Sequence, residues 1–241
     1  MSGVIFYDDE QDASRAETLA LHFSFVLSDK IFPRLQIINQ RLFLIDADHQ
    51  RMALDWNDEK WLQRSKGMTG RDPMIRATLA SKGVKIIDMT AGWGKDGLLM
   101  AHAGANVIML EQHSYMAALL MDAWQHLASP DVQSRIQIVW TSAQDYLRAL
   151  KVESYPDVIY CDPMHPIRQK SALVKKHLQV LQQLAQPNDD VVEMIQLAQK
   201  KCTQRVVLKW PQKQKPPIVS MGCIPGKTIR FDLFSPQQGG Q

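Results

Sequence analysis

The stretch DMTAGWGKD, residues 88–96, decides the fold of this 241-residue chain. The apolar run VKII at 84–87 precedes it and predicts a strand, and KDGLLMAHAG at 95–104 predicts a helix. Gly92 and Gly94 allow a sharp turn between the two and a close approach of a ligand to the backbone. A strand that enters a helix through such a turn is typical of the first unit of a doubly wound sheet, where ligands bind outside the carboxyl ends of the strands.

Strand and helix patterns alternate from residue 84 onward. Apolar strands are predicted at 84–88, 106–111, 135–140, 156–163 and 204–210, with helices at 95–104, 114–127, 143–150, 168–186 and 189–201. KTIRFDLF, residues 227–234, is predicted as a final edge strand. Because near-continuous apolar strands alternate with helices, we expect an α/β fold with a parallel sheet covered on both faces.

The N-terminal part has a different pattern. Residues 1–60 predict a small α/β subdomain, with a strand in GVIFY, a helix from Ser14 and a meander over 35–56. Ser14 with Glu17 three residues on is typical of a capping box at a helix start. We therefore expect three parts: the subdomain at 1–60, a basic connecting segment at 61–83 and a Rossmann-like domain at 84–241.

Composition and charge narrow the class of protein. Hydrophobic residues make up 45% and charged residues 22%, which is ordinary for a globular protein. The net charge is +3, but residues 1–162 carry 16 basic against 21 acidic side chains and residues 163–241 carry 12 against 4. This asymmetry favours a polyanionic partner. Without a membrane-length apolar run, a signal-peptide pattern or cysteines at metal-binding spacing, we expect a cytoplasmic protein with no membrane and no metal.

The residues around the glycine turn indicate which cofactor binds. No third glycine completes the dinucleotide pattern, and the Asp88 carboxylate would repel a pyrophosphate but can pair with an ammonium. Both features disfavour a NAD-dependent dehydrogenase. Glu111 lies 19 residues after Gly92, at the end of the next strand, where a carboxylate accepts hydrogen bonds from ribose hydroxyls. A nucleoside with an amino-acid tail fits these residues, and we predict S-adenosylmethionine.

The loop YCDPMHP, residues 160–166, suggests the chemistry. Asp162 ends the fourth strand of the alternating region, Pro163 stiffens the loop, and His165 supplies a planar ring. The exocyclic amine of a nucleobase is a poor nucleophile, because its lone pair is conjugated into the ring. A carboxylate and a loop carbonyl that accept its two N–H groups would localise that pair, and a planar side chain would stack on the base. We therefore predict catalytic roles for Asp162, Pro163 and His165.

Five stretches together resemble a known family. They are DMTAGWGKD, MLEQHSYMAALLMD, YCDPMHPIRQKSALVKK, QRVVLKWP and GKTIRFDLF, and they are similar to ribosomal RNA small subunit methyltransferase J. The resemblance covers roughly residues 60–235. It implies a class I S-adenosylmethionine-dependent methyltransferase fold and methylation of the N2 amine of a guanine near the 3′ end of 16S rRNA.

The resemblance also implies site residues. The family's cofactor contacts fall on Lys95, Asp96, Glu111, Gln112, Ser142, Ala143 and Asp162, in addition to the turn residues Asp88, Gly92 and Gly94. Several positions depart from the family pattern. Lys95 and Gln112 stand where the family usually has arginine, Ala143 replaces serine, and His165 replaces an aromatic residue. An arginine-to-lysine change keeps the charge but loses the planar fork.

Basic residues around the predicted site are candidates for RNA phosphate contacts. The predicted set is Arg64, Lys66, Arg71, Arg168, Lys170, Lys175 and Lys176, with Lys209, Lys213, Lys215, Lys227 and Arg230 from the neighbouring C-terminal segment. The implied partner is 16S rRNA or the small ribosomal subunit, and a monomer is favoured.

Two other classes of function stay open at this point. One is a methyltransferase that acts on another RNA, on DNA or on a small molecule. The other is a non-catalytic RNA-binding ribosome assembly factor that keeps the fold.

Overall fold

The computed structural model of the chain describes residues 3–56, 72–163 and 191–237. These residues fall into two compact units. The first unit contains residues 3–56 and 113–128, and the second contains residues 72–112, 129–163 and 191–237.

The helices and strands of the described residues follow one another along the chain. The first are β1 (Val4–Tyr7), α1 (Ala13–Phe23), β2 (Val26–Leu27), β3 (Arg34–Ile38), β4 (Arg41–Ile45), β5 (Arg51–Met52) and α2 (Pro73–Thr78). Next come β6 (Lys85–Asp88), α3 (Lys95–His102), β7 (Asn106–Glu111), α4 (Ser114–Leu127), α5 (Pro130–Gln133), β8 (Ile136–Trp140) and α6 (Ala143–Ala149). The last are β9 (Val158–Cys161), α7 (Val191–Gln199), β10 (Arg205–Pro211), β11 (Gly222–Pro225) and β12 (Ile229–Phe234).

The first unit has a five-stranded sheet in the order β2-β1-β3-β4-β5. Strands β3, β4 and β5 pair antiparallel, which confirms the predicted meander. The predicted helix start is wrong, because α1 begins at Ala13 and Ser14 lies inside it. A 3₁₀ turn over Glu10–Asp12, capped by the Asp9 side chain, leads directly into α1 and brings the helix start forward.

Buried polar side chains of α4 tie the first unit together. The Tyr115 hydroxyl accepts a hydrogen bond from the Val4 backbone N–H at 2.6 Å and donates to the Pro33 carbonyl at 2.9 Å. The Asp122 carboxylate is buried and accepts hydrogen bonds from Arg15 and Arg41 at 2.8 and 2.9 Å. The two guanidinium groups compensate the cost of removing this carboxylate from water.

The second unit has a seven-stranded sheet in the order β11-β12-β10-β9-β6-β7-β8. Strands β8, β7, β6, β9 and β10 are parallel, which confirms the α/β fold class. The predicted position of the last strand is wrong. Strand β12 is antiparallel to β10 on one side and to β11 on the other, so β11 forms the edge. Pro225 is tolerated there, because an edge strand can lack one backbone donor.

The hydrophobic core of the second unit lies on both faces of its sheet. On one face, α6 and α7 cover a cluster of strand residues that includes Ile87, Ile159 and Val206. On the other face, α3 lies so close to β7 that a Cβ at Gly97 would collide with the Met109 side chain. The tight packing of α3 fixes where its first turn, Lys95 and Asp96, lies relative to the strand ends.

In the part of the chain that the structure describes, none of the helices combines the length and the apolar character of a membrane span.

Candidate active site

The strand order brings three predicted carboxylates together at the carboxyl ends of the parallel strands of the second unit. Strand β6 lies between β7 and β9, and the chain order of the strands reverses at this point. Asp88 ends β6, Glu111 ends β7, and Asp162 directly follows β9. Because parallel strands end on the same side of the sheet, all three residues lie at the strand ends where ligands of such sheets bind.

The glycine turn has the geometry that a ligand requires. Gly92 and Gly94 have φ values of +50° and +69°, in the left-handed region that glycine adopts at low cost. The nearest atom to a Cβ built at Gly92 would be the Thr90 carbonyl oxygen at 3.8 Å, so open space lies beside this glycine. The Gly92 N–H donates to the Glu111 carboxylate at 3.0 Å, which holds Glu111 over the turn. These residues fit a ribose-bearing cofactor.

Asp88 is almost completely buried behind the turn. Its carboxylate accepts a hydrogen bond from the Thr90 backbone N–H at 3.1 Å, and its exposed fraction is 1%. Burial raises the pKa of Asp88 from 3.8 to about 8, although the Thr90 hydrogen bond opposes this shift. Asp88 is therefore mostly protonated at neutral pH when the site has no cationic ligand.

Asp162 is held to the glycine turn through Thr90. The Asp162 backbone N–H donates to the Thr90 hydroxyl at 2.7 Å, so one residue links the ends of β6 and β9. The Asp162 side chain is 34% exposed, and Pro163 after it is buried. The Thr90 hydrogen bond thus holds the Asp162 backbone beside the turn, while the Asp162 carboxylate stays partly accessible to solvent.

Lys209 of β10 lies between two carboxylates of the site. Its ammonium donates to Asp96 at 2.6 Å and to Asp162 at 2.7 Å. The Tyr160 hydroxyl donates to the same oxygen of Asp96, also at 2.6 Å. Burial alone would lower the pKa of Lys209, but the carboxylates of Asp162 and Asp96 raise it above its ordinary value. Lys209 is thus a fixed cation of this site.

The other predicted cofactor residues lie around the same strand edge. Lys95 and Asp96 form the first turn of α3, and Lys95 is exposed. Gln112 follows β7, and its carbonyl accepts a hydrogen bond from the Trp140 indole at 3.1 Å. Ser142 caps α6 through the Asp145 N–H, and Ala143 is buried. Only the backbone of Ala143 can therefore serve a ligand.

Several predicted residues lie outside the described ranges. They are His165 of the catalytic loop and Arg64, Lys66, Arg71, Arg168, Lys170, Lys175 and Lys176 of the RNA set. Their roles stay predictions. Of the other predicted RNA contacts, Lys213, Lys215 and Lys227 are exposed, and Arg230 pairs with the buried Asp232 at 2.8 Å.

The sequence reasoning missed the contacts that Thr90, Tyr160 and Lys209 make at the site. The sequence does contain an indication for Lys209, because a lysine near the carboxyl end of the apolar strand VVLKW requires a partner of opposite charge. Which carboxylate it meets depends on β10 lying beside β9, and strand order is not readable from a local pattern. Among the described residues, no group of three or more His, Cys, Asp or Glu side chains could hold a metal ion.

Comparisons with known proteins identify the class of protein. The family model described as "Putative SAM-dependent methyltransferase" matches residues 18–236. The solved structure of a SAM-dependent methyltransferase from Neisseria gonorrhoeae shares the fold, with a TM-score of 0.76 and 24% identity over 98% of this chain and 97% of that one. The chain is therefore an S-adenosylmethionine-dependent methyltransferase.

Curated relatives identify the family more closely. A protein from Legionella pneumophila (strain Lens) is 41% identical over 96% of this chain and 95% of its own length. A protein from Thioalkalivibrio sulfidiphilus is 32% identical over 95% and 96%. Both are named ribosomal RNA small subunit methyltransferase J, and this chain belongs to that family. The similarity includes the N-terminal part, beyond the stretches that first indicated the family.

Proposed function

We propose that the protein transfers a methyl group from S-adenosylmethionine to the N2 amine of a guanine in 16S rRNA. The observation that carries the proposal is the position of Asp162. Its backbone is bonded to Thr90, directly beside the glycine turn, and its carboxylate is partly exposed at the same strand edge as Glu111. A hydrogen-bond acceptor for an amine therefore lies beside the predicted cofactor site.

The cofactor would be held by the ends of β6 and β7. Glu111 would accept hydrogen bonds from the ribose hydroxyls, and the turn at Gly92 and Gly94 would let the cofactor lie against the backbone. Asp88 would face the amino-acid end, with Lys95, Asp96, Gln112, Ser142 and Ala143 around the remainder. When bound, S-adenosylmethionine supplies an electrophilic methyl group on a positively charged sulfur.

The substrate amine would be placed by the residues after β9. The Asp162 carboxylate and the Pro163 carbonyl would accept its two N–H groups, and His165 would stack on the guanine. The nitrogen lone pair would attack the methyl carbon, and the electron pair of the C–S bond would leave with sulfur. Asp162 would accept the proton that the nitrogen then loses. The guanine must be unstacked before its amine can reach this position.

The basic residues would hold the RNA and not read its sequence. The exposed Lys213, Lys215 and Lys227, with the predicted set that lies outside the described ranges, would contact phosphates and orient the strand. We propose that the protein works in the cytoplasm, as a monomer, on 16S rRNA or on the small subunit.

Mass mapping of 16S rRNA from a strain that lacks the gene tests this substrate. We expect one guanine to lose its methyl group in the deletion strain and to regain it when the wild-type gene is restored. The purified protein should then methylate small subunits from the deletion strain but not those from the wild type. The substrate assignment is wrong if every guanine keeps its methyl group in the deletion strain.

Replacement of Glu111 by alanine should weaken cofactor binding. The Glu111 carboxylate is fixed over the turn by the Gly92 N–H, and its loss removes charge-assisted hydrogen bonds to the ribose. We expect the Kd for S-adenosylmethionine, measured by calorimetry, to rise by about 30-fold, equivalent to roughly 2 kcal/mol. Glu153→Ala is the matched control, because Glu153 is an exposed residue of a 3₁₀ turn. An unchanged Kd in Glu111→Ala would remove Glu111 from the cofactor site.

A further inference from the structure

Lys209 is held too firmly to act as a mobile phosphate contact. Its ammonium lies 2.6 Å from Asp96 Oδ2 and 2.7 Å from Asp162 Oδ2. The side chains of Lys209, Asp96 and Asp162 are only 22%, 18% and 34% exposed, so salt screens these pairs less than it screens surface pairs. The position of Lys209 therefore indicates a role within the site.

The sheet register explains why Lys209 meets Asp162. Leu208 of β10 lies opposite Cys161 of β9, so the next residues along each strand, Lys209 and Asp162, extend side by side from the same face. Asp96 approaches from the first turn of α3, where Tyr160 also donates a hydrogen bond to it. Lys209 is thus held by two carboxylates, one from α3 and one from the residue that follows β9.

The charges around Asp162 would otherwise oppose its ionisation. Burial raises the pKa of Asp162, the Lys209 ammonium lowers it, and the nearby Asp96 raises it again. Asp88 is a further carboxyl group in this cluster, and the weakly acidic side chains of Tyr160 and Cys161 lie on the adjoining strand β9. Among the described residues that face this cluster, Lys209 supplies the positive charge.

Given the methyl transfer proposed above, on which this inference rests, we propose that Lys209 is a positioning residue of the reaction. Its ammonium holds Oδ2 of Asp162, so that the carboxylate stays ionised and presents Oδ1 to the substrate amine. An ionised carboxylate accepts hydrogen bonds on both oxygens, whereas a protonated one carries a donor that would compete with the amine. Lys209 therefore sets both the orientation and the charge of Asp162, and it does not touch the base itself.

The pH dependence of kcat distinguishes this role from a merely structural one. We expect Lys209→Met and Lys209→Gln to move the acidic limb of the kcat profile upward by about one pH unit or more, because an opposite charge is lost next to Asp162. At pH 7 kcat should fall by roughly 100-fold, as expected when a reacting group is misplaced. The KM for RNA should stay within about 2-fold of the wild-type value, since phosphate contacts elsewhere set it.

Two further variants sharpen the result. Lys209→Arg keeps the charge and should keep the acidic limb near its wild-type pH. Lys200→Met removes an exposed lysine that follows α7, and it should leave the profile unchanged. The inference is overturned if Lys209→Gln has the wild-type profile, if its activity falls by the same factor at every pH, or if only the KM for RNA rises.

A measurement without RNA separates this inference from the substrate proposal. The Asp162 carboxyl carbon can be followed by NMR in protein labelled with ¹³C-aspartate and assigned with Asp162→Asn. We expect this carbon to titrate at higher pH in Lys209→Gln than in the wild type, whatever the methyl acceptor. An unchanged titration overturns the role of Lys209, while a shifted titration with no rRNA methylation in either protein would overturn only the substrate.

Discussion

Asp162→Ala is expected to lower kcat for rRNA methylation by about 10³-fold while the fold survives. A fall in kcat of this size is expected because the variant lacks the acceptor that orients the amine and stabilises the positive charge that develops on nitrogen. The fold should survive because burial raises the pKa of Asp162, so the ionised carboxylate costs stability in the native state. Single-turnover methylation of unmethylated small subunits measures the rate, and thermal unfolding measures the fold.

Two control variants accompany Asp162→Ala, one at an aspartate away from the site and one that replaces Asp162 by its amide. Asp131→Ala removes a carboxylate that is 68% exposed and pairs with Arg135, and it should keep the wild-type kcat. Asp162→Asn retains an amide oxygen as acceptor but loses the charge, so its kcat should fall between those of the wild type and Asp162→Ala. Near-normal methylation by a folded Asp162→Ala protein would remove Asp162 from the mechanism.

Asp88→Asn is expected to stabilise the cofactor-free protein and to weaken cofactor binding. The pKa of Asp88 is about 8 in the folded protein and 3.8 ordinarily, so above pH 3.8 the folded state holds a proton that the unfolded state releases. The wild type therefore loses stability as the pH rises from about 4 to 8, and asparagine does not. At pH 8 we expect Asp88→Asn to gain on the order of 3 kcal/mol, with an asparagine oxygen still able to accept the Thr90 hydrogen bond.

Urea unfolding at pH 4.5 and pH 8 measures this effect. The gain of Asp88→Asn should be small at pH 4.5 and full at pH 8, while the Kd for S-adenosylmethionine should rise by about 10-fold or more, because an ionised Asp88 is needed for its ammonium group. Asp131→Asn, at an exposed carboxylate, should show neither change. A gain of equal size at both pH values, or no gain at pH 8, would contradict the buried protonated state of Asp88.

Much of the site followed from local patterns. The turn at Gly92, Glu111 at the next strand end and Asp162 after β9 could be predicted to meet, because parallel strands with helical crossovers place their carboxyl ends at one edge. The contacts among the side chains at these strand ends could not be predicted. The bond from the Asp162 N–H to Thr90 and the bridge from Lys209 to Asp96 depend on which strands are neighbours and on how α3 packs over Met109.

The errors at the fold level have the same origin. Ser14 with Glu17 fits the local rule for a helix start, but a preceding 3₁₀ turn makes α1 begin at Ala13. Strand β12 has the sequence pattern of an edge strand, but it is second from the edge because Gly222–Pro225 pairs antiparallel to its outer side. These features depend on pairing between segments that are distant in the chain, and a short stretch of sequence carries no information about that pairing.

A crystal structure with bound S-adenosylhomocysteine tests the central claim most directly, because that molecule differs from the cofactor by the transferred methyl group. We predict that it lies over Gly92 and Gly94, with its ribose hydroxyls on Glu111 and its sulfur facing Asp162. A ligand bound away from the ends of β6 and β7, or with its sulfur facing away from Asp162, would contradict the account.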